Sequence, residues 1–347
     1  MTHPHLLLHI LVRWLDFITL VALLGGFTYR WFVWAPVNRR PEGSGRFGRE
    51  TAGRLPIKTL LVILSATSLT DLVLRASMMS GRPLPEVYSV LPLVLSKTHF
   101  GQVWAGRCAA IAFLAVVQLP RTRVVFSIRT TNILSLTGGA VLGLATALSG
   151  HAADQGSWTW TVPLDWGHVM AVSAWVGGLF ALRLHLRPVL AGVSESERRE
   201  FLATAIRRFS TMAMTAVFGI LLTGVYNTYV HVHSLSLLSH TDYGRILILK
   251  WSLIIPMALL GGVSRFYVLP ILEHRNEHSI AGILSRAARA VIETVRTRPQ
   301  NMERLFFRLI LIEALLGLMV LGCSATITQL PPPHKTSVGF EHSHHAM

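Results

Sequence analysis

Long apolar segments separated by short polar ones dominate the hydrophobic pattern of this sequence. Eight of them are long enough for a helix to cross the hydrocarbon core of a bilayer, which takes about 20 residues. These segments lie at roughly 8–34, 54–79, 101–119, 132–150, 163–186, 207–230, 244–272 and 304–328. The pattern predicts an all-α fold, a polytopic bundle of eight transmembrane helices.

Basic residues are distributed unevenly among the connecting segments. Several arginines lie in 35–53, 120–131, 187–208 and after the seventh apolar segment, whereas 151–162 and 231–243 contain neither Lys nor Arg. Because basic loops stay in the cytoplasm, we predict that both termini lie on the outer side. The start of the sequence has no Lys or Arg before its apolar run and no A-x-A cleavage site after it, so we interpret that run as a helix that is retained.

Composition supports a membrane environment and changes the interpretation of the charge. The chain is 51% hydrophobic and 14% charged, which is ordinary for a polytopic membrane protein and unusual for a soluble domain. The formal net charge of +15 sits in short loops, so we expect a lipid bilayer around the chain and no nucleic acid.

Segment 279–297 has apolar residues at helical spacing with arginines elsewhere on the wheel. It predicts a basic amphipathic interfacial helix between helices 7 and 8; a soluble cap over the cytoplasmic loops is the alternative.

Histidines concentrate on one side of the predicted membrane. All of the 16 except His185, His274 and His278 fall at or near the outer side. Imidazole is the commonest metal-binding side chain near neutral pH, so this distribution favours metal capture. The tail segment His342-Ser-His-His345 is by itself equally consistent with a solvated polar tail.

Two histidines on successive helices are the leading ligand candidates. His151 continues a series of small residues, spaced by four, that runs through Ala147 and predicts a face turned toward the bundle. A short outer loop then brings His168 to the same side. Asp165, three residues before His168, is placed to orient its imidazole. We predict that His151 and His168 bind a metal ion.

Further candidate ligands lie at the outer ends of other helices. They are His99, Met78 and Met79. Thioether and imidazole together select copper over harder cations. A methionine in a membrane helix is more often a gap-filling core residue, and that alternative stays open.

Charged and amide side chains inside the apolar segments cluster in the outer half. They are Asp16, Asp71, Arg107, Asn227 and Lys250, whereas Glu313 lies nearer the inner side. Such groups are expensive in a membrane, so they form paired networks or line pathways. The sequence is compatible with a structural salt-bridge network, with a vestibule that opens outward, or with both.

Catalytic signatures are missing from the sequence. It contains no GxSxG, P-loop or HExxH sequence, and its two cysteines form no CxxC motif. We therefore expect a protein that is not an enzyme.

The sequence resembles the copper-resistance protein D family (CopD), most clearly over its second half. The matching stretches are Gly150-His-Ala-Ala153, His168 with Trp175-Val-Gly-Gly178, Arg208-Phe-Ser210, Thr223-Gly-Val225, Tyr243-Gly-Arg-Ile-Leu-Ile-Leu-Lys250, Arg265 with Pro270, and Glu313 with Pro331-Pro-Pro333. In the first half the likeness rests on Thr98-His-Phe-Gly101 with Trp104 and Arg107. We accordingly divide the chain into an N-terminal four-helix half (1–150), a CopD-like half (151–330) and a His-rich tail (331–347).

The resemblance implies a multi-pass protein of the bacterial inner membrane with periplasmic termini. It further implies uptake of copper from the periplasm, with a CopC-type copper carrier as a possible partner and a role in copper resistance. Two alternatives remain open. One is a b-type electron carrier whose buried histidines ligate haem, and the other is a copper sensor or assembly partner that does not transport.

Overall fold

Eight membrane-length helices make up most of the molecule. The computed structural model describes residues 6–37, 56–119, 125–150, 159–191, 194–231, 235–273 and 299–330, and within these ranges every regular element is helical. The helices long and apolar enough to cross a membrane are α1 (Leu6–Val37), α2 (Ile57–Ser80), α3 (His99–Val117), α4 (Ile128–Leu148), α5 (Thr161–Ala191), α6 (Glu197–Tyr229), α7 (Asp242–Leu272) and α8 (Met302–Ile327). Within the described residues, the predicted all-α fold with eight helices of membrane-spanning length is confirmed.

Some sequence predictions fall where the structure gives no description, or differ from it. His151, the predicted amphipathic segment 279–297 and the tail 331–347 lie outside the described residues. Between α2 and α3 the chain forms a 3₁₀ turn at Leu84–Ser89 and a short helix at Leu91–Lys97. The hydrophobic pattern did not predict these elements, because they are too short to show a helical period.

Local signals in the sequence explain where several helices begin and end. The side chains of Thr98, Ser127 and Thr241 accept hydrogen bonds from backbone N–H groups three residues later, at 3.0–3.1 Å, and so cap α3, α4 and α7. Helix α2 ends at Gly81, whose φ of 68° is the left-handed conformation that glycine adopts without strain.

Helix α1 is shared by the two largest hydrophobic core clusters of the bundle. Its leucines Leu20, Leu23 and Leu24 pack with α2, α3 and α4, whereas Val21 and Tyr29 belong to the larger core formed with α5 to α8. The Trp14 indole donates a hydrogen bond to the carbonyl of Leu318 at 2.9 Å and ties α1 to α8. The bundle is therefore organised around α1.

A glycine contact sets the distance between α1 and α5. A Cβ atom added at Gly177 would collide with the backbone of Val21, and one added at Gly25 would collide with the backbone of Gly177. Gly177 ends a π-helical turn, Ser173–Gly177, in the middle of α5. Close backbone approach at small residues is how membrane helices gain packing energy, since lipid supplies no hydrophobic drive between helices.

This contact makes a stability prediction. Gly177→Ala forces the two backbones apart, and overpacking of this kind costs about 1–3 kcal/mol, so we expect a lower thermal unfolding midpoint for the purified protein. Gly106→Ala is the matched control, because nothing lies within 4 Å of a Cβ at that helical position. Alanine there is expected to leave the midpoint unchanged or to raise it slightly. Equal midpoints for Gly177→Ala and the wild type would contradict the proposed contact.

Candidate functional site

A cavity of about 200 Å³ opens at one end of the bundle. Its walls come from the beginnings of α1, α5 and α7 and from the ends of α4, α6 and α8, which the alternating direction of the helices brings to the same level. Much of the lining is apolar, but five charged, imidazole or amide side chains also face it. They are Arg13, Asp165, His168, Asn227 and Lys250. We call this space the polar cavity.

The His168 imidazole is held by one hydrogen bond to the neighbouring helix α6. Its Nδ1 lies 2.8 Å from the hydroxyl oxygen of Thr223, and that hydroxyl donates to the carbonyl of Gly219 at 2.6 Å. We assign the single hydroxyl hydrogen to that carbonyl, so that Nδ1 carries the proton and donates to Thr223. The lone pair is then on Nε2, for which the described part of the chain supplies no hydrogen-bond partner. A neutral imidazole with one free lone pair is the form that binds a metal ion.

The surroundings of His168 leave its ring facing the polar cavity. A Cβ atom built on Gly224 of α6 would lie 3.8 Å from Cε1 of the ring and 3.5 Å from Trp251 of α7. Met170, two residues further along, points toward α4, because a Cβ built on Gly143 would lie 3.1 Å from its sulfur. The thioether of Met170 therefore packs between helices, away from the imidazole.

Asp165, Asn227 and Lys250 form a second polar group in the cavity wall. Asn227 donates a hydrogen bond to Oδ1 of Asp165 at 3.4 Å. Lys250 lies close enough to interact electrostatically with Asp165 and His168. In the described ranges no hydrogen bond or ion pair within 4 Å engages its ammonium group. The hydrogen-bond partner of the His168 ring is Thr223, whereas Asp165 accepts its hydrogen bond from Asn227.

Asp16 and Arg107 form a buried ion pair between α1 and α3. A guanidinium nitrogen of Arg107 lies 2.6 Å from Oδ1 of Asp16, which also accepts a hydrogen bond from Thr67 of α2 at 2.8 Å. Arg107 donates in addition to the hydroxyl of Ser68 at 2.9 Å. These contacts join three helices and do not line the polar cavity. They favour a structural role for Asp16 and Arg107 over a place on a pathway.

Asp71 is shared between two arginines beside this pair. It lies 3.3 Å from Arg75 on its own helix and 3.8 Å from Arg13 on α1. Arg13 and Asp16 are three residues apart on α1. Their partners lie on other helices, and only Arg13 reaches the polar cavity.

The remaining sequence candidates lie elsewhere. Met78 and Met79 are 47% and 55% exposed at the end of α2, and His99 is exposed at the start of α3. Glu313 is 2% exposed and lies beside Gly261 of α7, away from the polar cavity. His151 follows Gly150, which lines the cavity. Across the described residues, no three His, Cys, Asp or Glu side chains come together as a metal site.

The fold and the cavity define an α-helical membrane protein with a polar cavity among its helix ends. Two family models match the sequence: "Copper resistance protein D-like, N-terminal domain" over residues 1–162 and "Copper resistance protein D" over residues 203–327. Together they cover most of the chain. The chain belongs to the copper resistance protein D family, as its motifs predict.

Two curated proteins are similar to parts of this chain. One is the copper transport protein CutJ of Bacillus subtilis (strain 168), 32% identical over 173 residues; the match covers 49% of this chain and 31% of that protein. The chain therefore spans about a third of the length of that relative. The other is the inner membrane protein YebZ of Escherichia coli (strain K12), 24% identical over 267 residues, 75% of this chain and 84% of that protein. No solved structure matches.

The buried ion pair of Asp16 and Arg107 allows a test of whether these residues have a structural role or lie on a transport pathway. Arg107→Met leaves the Asp16 carboxylate buried without its partner, which costs about 3–5 kcal/mol, so we expect a large fall in thermal stability. Arg245→Met is the control, because the pair of Arg245 with Asp242 is exposed and 3.8 Å long. An Arg107→Met protein as stable as the wild type would overturn the structural role.

Proposed function

We propose that this protein carries copper across the bacterial inner membrane, from the periplasm toward the cytoplasm, and thereby contributes to copper homeostasis and resistance. The observation that carries the proposal is the free Nε2 lone pair of His168 inside the polar cavity. Family membership and the relative named as a copper transport protein support copper as the cargo. The relative named as an inner membrane protein supports the location.

The proposed orientation follows from the basic connections. With the arginine-rich segments in the cytoplasm, both termini of the chain and the open end of the polar cavity face the periplasm. Segment 279–297 then lies on the inner leaflet as a basic amphipathic helix. In this orientation copper arriving from the periplasm meets His168 without crossing the apolar part of the bundle.

The proposed path begins outside the membrane and continues beyond the cavity. His151, next to the cavity-lining Gly150, joins His168 as a first ligand, while His99, Met78, Met79 and the tail 331–347 collect metal at the surface. A CopC-type periplasmic carrier is the proposed donor. Glu313 is the proposed next polar position toward the cytoplasm. No nucleotide-binding motif is present in the sequence, so we propose passive or gradient-driven movement without catalysis.

The haem alternative finds little support in the placement of the buried histidines of α5. His168 and His185 are separated along one helix by about 25 Å at 1.5 Å per residue, so they do not face each other across a single porphyrin. The sensor or assembly alternative uses the same ligands without a through-path. Copper accumulation separates transport from sensing, and a Soret band in the purified protein would favour the haem alternative.

The proposal predicts the phenotype of a histidine variant. His168→Ala removes the only imidazole that lines the described part of the cavity, so we expect cellular copper accumulation to fall to the level of cells without the protein. His185→Ala is the matched control, a buried histidine at the opposite end of α5, and is expected to accumulate copper as the wild type does. Equal accumulation in all three strains, at equal protein levels, would refute the site.

The orientation of the imidazole provides a second prediction. Thr223→Val removes the acceptor of the Nδ1 proton while preserving side-chain shape, so we expect weaker copper binding, by about tenfold, a typical effect of losing such an outer partner. Thr215→Val is the control, since Thr215 lies on the same helix and its hydroxyl bonds only to the carbonyl of Thr211. Copper affinity of the purified variants is the measurement, and an unchanged affinity for Thr223→Val would show that Thr223 does not position the ligand.

A further inference from the structure

The polar cavity is lined by more positive than negative charge. Arg13 and Lys250 face it with Asp165 as the single carboxylate among its described lining residues. The positive charge of Arg13 is only partly compensated by a carboxylate. Its nearest carboxylate, Asp71, is 3.8 Å away and is shared with Arg75 at 3.3 Å, and its Nε is buried without a hydrogen bond. A metal cation entering this cavity would therefore approach two cationic side chains.

Among the described residues around the cavity, the cationic side chains outnumber the carboxylates by one. Asp16 is taken by Arg107 at 2.6 Å, and Asp71 is shared by Arg13 and Arg75. The remaining carboxylate, Asp165, interacts with Lys250 from beyond ion-pair distance and accepts a hydrogen bond from Asn227. Within the described residues the ammonium group of Lys250 therefore has no hydrogen-bonded partner. The polar cavity therefore contains both an ammonium group that is only partly compensated and an imidazole that can bind a metal ion.

We propose that copper binds in the polar cavity together with a small anion, with Nε2 of His168 coordinating the metal and the ammonium group of Lys250 binding the anion. The anion is a copper ligand of the halide or carboxylate class. It lies between the metal and Lys250. The copper ion and the ammonium group are therefore each attracted to the anion, and they no longer face each other directly. This inference rests on the proposed copper site at His168 and specifies that the site binds copper as a complex with an anion.

The direction in which one substitution changes the copper affinity distinguishes this arrangement from the binding of a bare copper ion. If copper binds alone, Lys250→Met removes a repelling charge and strengthens binding. If copper binds with an anion, Lys250→Met removes the partner of the anion and weakens binding. Lys250→Arg keeps the positive charge but offers no amine lone pair to copper, so it also separates anion binding from direct ligation by lysine.

The experiment is a competition titration of copper against a chromophoric chelator, with the purified full chain in lipid nanodiscs, repeated with and without a reductant. It compares sodium chloride, sodium acetate and sodium nitrate at equal ionic strength, and the chelator sets the free copper concentration in each salt. Nitrate is the weakly coordinating reference. For the wild type we expect binding at least tenfold tighter in chloride or in acetate than in nitrate, and the salt that produces the gain identifies the anion class.

The variants complete the test. Lys250→Met is expected to lose the gain, and Lys250→Arg to retain it. The inference is overturned if wild-type affinity is the same in all three salts, if Lys250→Met binds more tightly, or if both Lys250 variants lose binding equally in every salt. His168→Ala tests the proposed function separately. It is expected to lose binding in all salts, and wild-type affinity in that variant would place the copper site elsewhere whatever the effect of the anion.

Discussion

The salt bridge between Asp16 and Arg107 is the interaction on which the arrangement of the bundle most depends. Lipid cannot solvate either group, so each charge inside the bundle has to find its compensation within the protein. Thr67 and Ser68 of α2 also hydrogen-bond to this pair, which therefore fixes α1, α2 and α3 against one another. Because α1 also packs against α5 at Gly25 and Gly177, the same pair determines where the second half of the bundle meets the first.

The polar residues fall into two groups. Some are paired with other protein side chains and have a structural role, whereas others face the polar cavity without such a partner in the described ranges. Asp16 and Arg107 are buried and paired with each other, and neither lines the polar cavity. His168 and Lys250 face the polar cavity, and in the described ranges each presents a polar atom that no protein group engages. Arg13 links the two groups, since it lies one helical turn from Asp16 on α1 and also lines the cavity. The structural network therefore fixes the position of one wall of the candidate site.

The level of a residue along its helix was easier to predict from the sequence than its partner. Counting from the predicted helix ends put His168, Asn227 and Lys250 in one layer, and in the structure all three line the polar cavity, because hydrophobic length fixes the height of each residue along its helix. Rotation about the helix axis, which decides whether Arg13 meets Asp16 or Asp71, depends on how helices pack. The pattern of apolar residues carries little of that information in a chain whose helices are apolar on most sides.

Thr223 shows a different limit of sequence interpretation. A threonine in a membrane helix satisfies its hydroxyl on the carbonyl four residues earlier, as Thr223 does at Gly219, and so needs no partner on another helix. Its second role, accepting the proton of His168, uses an oxygen lone pair that this bond leaves free. The backbone bond does not separate Thr223 from Thr215 and Thr228, which make the same one, and the likeness of Thr223-Gly-Val225 to CopD assigns no role to its hydroxyl. Only the contact across helices identifies it as part of the site.

The proposed binding of copper together with an anion follows from the same constraint that organises the bundle. Two unit charges of like sign 4 Å apart repel by about 4 kcal/mol at an effective dielectric constant of 20. In the proposed arrangement a copper(I) ion with one halide or carboxylate is neutral as a unit, so it adds no net charge to a layer in which the described cations outnumber the described carboxylates by one. Lys250 would then gain a partner that the described residues do not supply, and the ion would reach His168 without net repulsion from the ammonium group.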